Sequence, residues 1–185
     1  MERRSDIELA RALAAGDRAA GDALIDRSYD GVFRFLRPLC RGDAARAADA
    51  AQEAFRRAWE ALGRFEGRSS FATWVCRIAY NVVVDEARRP APLPLEDPED
   101  GTPFDPPDEG GTLPDEDAAR AEESAALRRA VRRLPEELRF AVAARYWAEA
   151  RLEEIAAVEG ITEAAVRKRI KRALELLAEA LEAGA

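Results

Sequence analysis

Apolar residues recur along this chain at spacings of three and four, the spacing that puts them on one face of a helix. Ile7, Leu9, Ala10, Leu13 and Ala14 predict a short amphipathic helix, opened by Ser5 with Glu8 as a capping box and ending near Gly16. Asp17 is placed to cap a second helix that carries Leu24, Ile25, Val32, Phe35, Leu36 and Leu39, with Pro38 and then Gly42 closing it. A third helix runs from Asp43 to about Leu62, and its stripe of Ala48, Ala51, Phe55, Trp59 and Leu62 is expected in the core. The opposite face shows Asp49, Gln52, Glu53, Arg56 and Arg57. After a loop from Gly63 to Arg68, Ser69 or Ser70 starts a fourth helix reaching about Arg89, with Phe71, Val75, Ile78 and Val82 on its core face.

Beyond residue 117 the helical pattern resumes. One helix is expected from Ala118 towards Leu134, and Pro135 starts the next in its first turn, with Val142, Tyr146 and Trp147 along it. The stretch from Leu152 to Leu177 then reads as two helices broken at Gly160. Ile155, Ala156 and Val158 serve burial in the first, Gly160 suits the left-handed end of a helix, and Thr162 caps the second. This is a helix-turn-helix signature. Val166, Ile170, Ala173, Leu174 and Leu177 recur as the buried seam of its second helix, which leaves Ala164, Lys168, Lys171 and Arg172 outside. The hexapeptide RKRIKR, 167 to 172, holds both lysines of the chain, where a recognition helix meets a major groove. All predicted elements are helices, so the fold class is all-α.

Taken whole, the charge opposes nucleic-acid binding, since the 185 residues carry a net charge of -7. Its distribution removes the objection. Residues 1–89 are net +2, residues 118–185 net +1, and the whole acidic excess of ten lies in residues 90–117, with eight prolines and no basic group. That segment lacks apolar surface to fold alone and is expected to be an extended, self-repelling linker between two small helical domains. Local patches, not the global charge, decide the partner. With no histidine, and with Cys40 and Cys76 far apart in apolar helical settings, the usual zinc-site patterns and the commonest general base are missing. The two cysteines read as buried thiols, and no enzyme, metal or cofactor reading finds residues to support it. No apolar run reaches membrane-span length, and the start MERRSDIEL lacks the apolar core of a signal peptide, so a cytoplasmic location without membrane contact is expected.

Several motifs occur in order: DAAQEAF (49–55), RAWEALGRFEGRSSFATWVCRIAYN (57–81), the acidic segment, LPEELR (134–139), then LEEIA and VRKRIKRA within 152–173. This order closely resembles bacterial RNA polymerase sigma factors of the sigma-70 family, in the extracytoplasmic-function group. The resemblance implies a non-enzymatic specificity subunit with a region 2 domain (1–89) and a region 4 domain (118–185). Core RNA polymerase and promoter DNA are the implied partners, joined by an anti-sigma protein and by no small-molecule substrate. Asp49, Gln52, Glu53 and Arg56 match the surface that docks on the polymerase clamp coiled coil. Phe65, Asn81 and Asp85 match positions that handle the unpaired -10 strand, where an extruded base needs a stacking wall and hydrogen-bond partners. Ser69, Arg77 and Arg88 belong to the same set, the arginines as phosphate holders. Phe71 reads as core, and Trp74 as core or as support for the loop. Arg167, Lys168, Arg169, Lys171 and Arg172 match the -35 readers: Lys168, Lys171 and Arg172 aimed at base edges, Arg167 and Arg169 at phosphate.

The chain departs from this pattern in two places. Ala164 and Ala165 stand where the family commonly has Gly-Thr, which removes a threonine contact to DNA. Glu149, Ala150 and Arg151 replace a Gly-x-Ser turn beside the polymerase-flap contact, and losing a serine cap typically costs about 1 kcal/mol. Two other classes fit parts of the chain. One is a sigma-like decoy that binds an anti-sigma protein without promoter activity, and the other is a stand-alone helix-turn-helix regulator, which leaves the 49–85 motifs without a role.

Overall fold

A computed structural model describes residues 4–88 and 115–182, the side chains of 115–123 excepted. Eight α-helices make up its regular structure: α1 (Asp6–Ala14), α2 (Arg18–Leu39), α3 (Ala44–Glu60), α4 (Phe71–Arg88), α5 (Asp115–Arg133), α6 (Glu136–Tyr146), α7 (Leu152–Glu159) and α8 (Glu163–Glu182). A 3-10 turn, Leu62–Arg64, follows α3. None of the described helices is long and apolar enough to cross a membrane.

Local capping chemistry sets the starts. Ser5 and Glu8 form the reciprocal capping box at α1, Asp17 accepts from the Ala20 N–H at α2, and Asp43 accepts from the Arg46 N–H at α3. Ser70 is the cap of α4, its Oγ accepting from the Thr73 N–H at 3.2 Å. A tight turn with positive φ at Arg41 (62°) and Gly42 (85°) separates α2 from α3, and Pro38 is tolerated in the last turn of α2.

In the first domain α2, α3 and α4 pack against one another, α3 through a face of small side chains. Ala47, Ala50, Ala51, Ala54, Phe55 and Ala58 are buried, whereas Ala48, Trp59 and Leu62 are only half-buried. The buried stripe is therefore rotated from the expected one, because alanines let the helix approach its neighbours on that side and the Trp59 ring is left to cover its edge. The helix also stops at Glu60, before the 3-10 turn. Leu24, Val32, Phe35 and Leu36 of α2, with Phe71, Val75, Cys76, Ala79 and Tyr80 of α4, complete this core. Cys40 and Cys76 are buried free thiols, as their context predicts.

In the second domain Val131, Leu134, Leu138, Val142, Ala173 and Leu177 join α5, α6 and α8. Leu174, expected in the seam, is 43% exposed: it sits one position past Ala173, which fills the core contact. Pro135 is the N-cap residue of α6 and not its first helical residue. Helix α5 begins at Asp115, so the last three residues of the expected linker are helical, while the tether predicted over 90–114 lies outside the described residues.

The two helical bodies touch. Phe140, Ala141, Ala143 and Ala144 of α6 and Ile155 of α7 are buried in the same cluster as Phe35 and Tyr80. α4 supplies the surface on which α6 and α7 rest.

Candidate nucleic-acid interface

The helix-turn-helix forms for the reasons its sequence suggests. Gly160 adopts the left-handed conformation (φ 66°, ψ 31°), and its N–H and that of Ile161 both return to the Ala156 carbonyl. Thr162 Oγ1 accepts from the Ala165 N–H at 3.2 Å and caps α8. Val166, Ile170, Ala173 and Leu177 hold α8 to the core. Arg167, Lys168, Lys171 and Arg172 are exposed on the outside, and Arg169 is half-buried.

The pairing of these cations separates them into kinds. Arg167 bonds Glu163 at 2.7 Å and Arg172 approaches Glu175 at 3.3 Å, both on α8 itself. Among the described residues Lys168 and Lys171 have no carboxylate within ion-pair distance, so they are the cations this face presents to an incoming anion. Arg169 turns inward to Glu159, whose side chain is 6% exposed. Leu138, Ala165, Lys168, Arg169 and Arg172 line a shallow hollow beside this face.

The loop 65–70 and α4 form the second part. Phe65 is 6% exposed, its ring centroid 5.4 Å from Phe71 and 5.3 Å from Trp74. Its ring lies inside an aromatic cluster that includes Trp59, so it braces the loop and offers no open stacking face; Trp74 supports it from α4. Ser69 is also buried, its hydroxyl donating to the Ser70 carbonyl at 3.1 Å. Asn81 and Asp85 are exposed one turn apart. Arg77 and Arg88 are both engaged: Arg77 with Glu159 at 3.1 Å, Arg88 with Glu136 at 3.0 Å.

The third part is the polar face of α3. Glu53 accepts from Arg56 Nε and Nη2, both at 2.7 Å, and from Arg57 Nε at 2.7 Å. Those hydrogen bonds, first from Arg56 and then from Arg57, hold its carboxyl down at about 2. Arg56 also reaches Glu60, and Arg57 bonds Asp85 of α4 at 3.1 Å. Glu60, Arg56, Glu53, Arg57 and Asp85 thus form one charged strip from α3 to α4. Asp49 and Gln52 are exposed beside it, and Asp49 lines the hollow between α3 and α4. The structure joins Asp85 to this strip and sets Arg57 at the junction.

What pattern reading missed lies between the domains. Glu154, 6% exposed, accepts from the Ser70 N–H at 2.8 Å and from the Arg151 N–H at 2.9 Å, with the Thr73 hydroxyl at 3.5 Å. Burial works to raise its pKa, but the hydrogen bonds from Arg151 and Ser70 outweigh it, and the carboxyl is lowered from 4.5. Tyr80, whose hydroxyl donates to the Glu136 carbonyl at 3.0 Å, meets Phe140 edge to face at 5.5 Å, and burial raises the phenol to about 12. Residues 73, 77, 80 and 88, a helical stripe on α4, all face the second domain. The stripe is visible in the sequence, but its partners, some 50 to 85 positions away, are not.

Comparison with known proteins agrees with this geometry. The family model for Sigma-70 region 2 matches residues 24–91, and that for Sigma-70, region 4, matches residues 124–177. The chain is 34% identical over 187 residues to the RNA polymerase sigma-H factor of Pseudomonas aeruginosa, covering 96% of this chain and 94% of that one. It is 33% identical over 178 residues to the ECF RNA polymerase sigma factor SigM of Mycobacterium tuberculosis, covering 96% and 85%. To the ECF RNA polymerase sigma-E factor of Escherichia coli K12 the identity is 34% over 186 residues, covering 95% and 94%. The fold is similar to that in the structure of CnrH in complex with the cytosolic domain of CnrY, with a TM-score of 0.69 at 24% identity over 98% of this chain and 100% of that one.

Proposed function

The chain belongs to the sigma-70 family, in its extracytoplasmic-function group, and is an alternative sigma factor; from this premise we propose how its surfaces divide the work of promoter recognition. The exposed face of α8 enters the major groove of the -35 element. Lys168 and Lys171, unpaired among the described residues, take base edges together with Arg172, while Arg167 holds phosphate and Arg169, expected to do the same, instead braces α8 from within through Glu159. Ala164 and Ala165 at the start of α8 bring only apolar contact, so the lysines carry the discrimination there.

The α4 face handles the -10 strand. Asn81 and Asp85 are exposed for hydrogen bonding to an unpaired base, and Arg77 and Arg88 hold its phosphates. Phe65 and Ser69, both buried, keep the adjoining loop in shape. The α3 strip docks on the clamp coiled coil of core RNA polymerase: Asp49 and Gln52 offer hydrogen bonds, and the Glu53–Arg56 pair presents its charges in fixed orientation. The second domain binds the polymerase flap. An anti-sigma protein covers these faces when the factor is held inactive. The chain performs no catalysis of its own and works in the cytoplasm.

The exposed lysine pair on a capped helix-turn-helix carries this reading. Run-off transcription with purified core polymerase and a genomic fragment library tests it. Promoter-dependent transcripts that require the chain are expected; their absence, with folded protein and active core, would leave a decoy without promoter activity.

A further inference from the structure

Helix α1 carries none of the groups proposed to touch DNA or polymerase, yet its first turn reaches the start of α4. The opening N–H groups of a helix have no partner within it and find one elsewhere. At α4 the Ser70 N–H donates to Glu154, the Thr73 N–H to the Ser70 hydroxyl, and the Phe71 N–H to Asp6 Oδ2 at 2.8 Å. Glu154 belongs to the second domain, whereas Asp6 comes from the first, 65 positions before Phe71. Its own helix does not need it as a cap, since Ser5 and Glu8 form the capping box of α1. Asp6 Oδ1 faces Arg27 of α2 at 3.6 Å, and the same guanidinium donates to the Arg4 carbonyl at 2.7 Å. One half-buried carboxylate thus joins α1, α2 and α4. Its neighbour Ile7 packs against Gly67, where φ is 72° and an added Cβ would lie 2.9 Å from Ile7 Cβ. Phe71, held by Asp6, stacks on Trp59 (5.6 Å) and meets Phe65 edge to face (5.4 Å). We propose that Asp6 is a positioning residue for strand reading: through the Phe71 N–H, with Ile7 against Gly67, it fixes the shape of the loop 65–70 beside the face that takes the unpaired -10 strand.

The inference rests on the reading of α4 as that face. A carboxylate suits the task, because it accepts a charge-assisted hydrogen bond where the α4 dipole is positive. Without it the Phe71 N–H loses its acceptor where the loop enters the helix, and Phe71 can shift together with the Phe65 ring packed on it. Glu66, Gly67 and Arg68, the exposed residues of the loop, move with that bracing. Asp6 itself touches no nucleotide and acts through the loop. Its loss is therefore felt in strand capture and base preference. Docking on polymerase is spared, since Asp49, Gln52, Glu53 and Arg56 lie on α3 and make no contact with Asp6.

The test is capture, by holoenzyme, of single-stranded oligonucleotides carrying the -10 element of a promoter recovered by run-off transcription, with each base varied in turn. The affinity of the chain for core polymerase is measured beside it. Asp6→Ala is expected to lower capture by about threefold to tenfold, the span of a lost helix cap, and to flatten the preference among bases, with the affinity for core unchanged. Asp6→Asn keeps an oxygen that can accept from the Phe71 N–H, so its capture is expected to fall between that of Asp6→Ala and that of the unaltered chain; it serves alone if Asp6→Ala does not fold. Asp43→Ala removes a cap of the same kind at the end of α3 far from the loop, and is expected to capture the oligonucleotides as the unaltered chain does. This control separates positioning from a general loss of stability. Unchanged capture and base preference in folded Asp6→Ala would overturn the role, as would an equal loss in Asp43→Ala. Should the holoenzyme of the unaltered chain show no base preference for the strand, the reading of α4 would fail and the role with it, a result distinct from an Asp6 variant that behaves like the unaltered chain.

Discussion

Lys168 and Lys171 differ from their arginine neighbours in having no carboxylate partner among the described residues, and this sets their expected effects apart. Lys171→Ala or Lys168→Ala is expected to cost about 1–3 kcal/mol of promoter binding by holoenzyme and to relax preference at one base position. Arg167→Ala, which on the proposed reading removes a phosphate contact, is expected to weaken all promoters alike. Binding of holoenzyme to promoter variants substituted position by position separates the two. Glu154 gives a pH prediction. Its lowered pKa means that its contribution to the contact between the domains is fully present above the ordinary carboxylate value of 4.5 and is lost as pH falls through the lower folded value. Energy transfer between dyes placed on the two domains is expected to hold from neutral pH down to that range and then decline, and the decline is expected to be smaller in Glu154→Gln, which keeps the Glu159 contact. The groups facing this carboxyl are Arg151, the N-cap of its own helix, and Ser70 and Thr73 at the start of α4. Buried thiols give a third expectation, because burial raises Cys40 to about 11 and Cys76 further. Neither is expected to react with a thiol reagent at neutral pH until the chain unfolds. The exposure of the α8 cations was legible because a capped helix with an apolar seam fixes its outer face. The inward turn of Arg169 was not, since Glu159 lies across the turn on another helix.

At the scale of elements, the glycines test the turns. Gly160 has φ 66° and open space around an added Cβ, so Gly160→Ala is expected to cost only the left-handed backbone strain, about 1–2 kcal/mol. Gly67 has φ 72°, and an added Cβ would lie 2.9 Å from Ile7 Cβ, which ties the loop to α1. Gly67→Ala is expected to be the more damaging, which urea unfolding of both variants checks. Helix starts at Ser5, Asp17, Asp43 and Thr162 were legible because a cap is a local hydrogen bond between residues three apart. The rotation of α3 and the exposure of Leu174 were not. Helical spacing identifies a set of candidate faces, and which one is buried depends on neighbours: alanines at 47, 51, 54 and 58 permit close packing that Trp59 does not. Phe65 illustrates the same limit, since an aromatic residue in a loop with polar neighbours is drawn inward by Phe71 and Trp74.

For the whole molecule, the acidic excess of residues 90–117 leaves two flanks of +2 and +1, too little for a phosphate-driven clamp by either domain. The sequence makes that weakness plain, and it predicts two bodies. It does not reveal that they meet, because contacts such as Ser70 with Glu154 join residues 84 positions apart without any local pattern. Weak individual grips lead to one expectation: promoter binding arises when core polymerase holds both domains at the promoter spacing. Beside the plain role of a tether for the segment 90–117, we propose the second role that the family resemblance implies, threading the polymerase RNA channel with its carboxylates in place of RNA phosphates. Changing its acids to Asn and Gln is expected to alter abortive synthesis and promoter escape, read by transcript length. The most direct test of the account compares retention of one promoter fragment by the free chain, by core polymerase and by the two together at a single salt concentration. Strong, sequence-specific retention is predicted for the mixture alone; tight, sequence-specific binding by the free chain would contradict it.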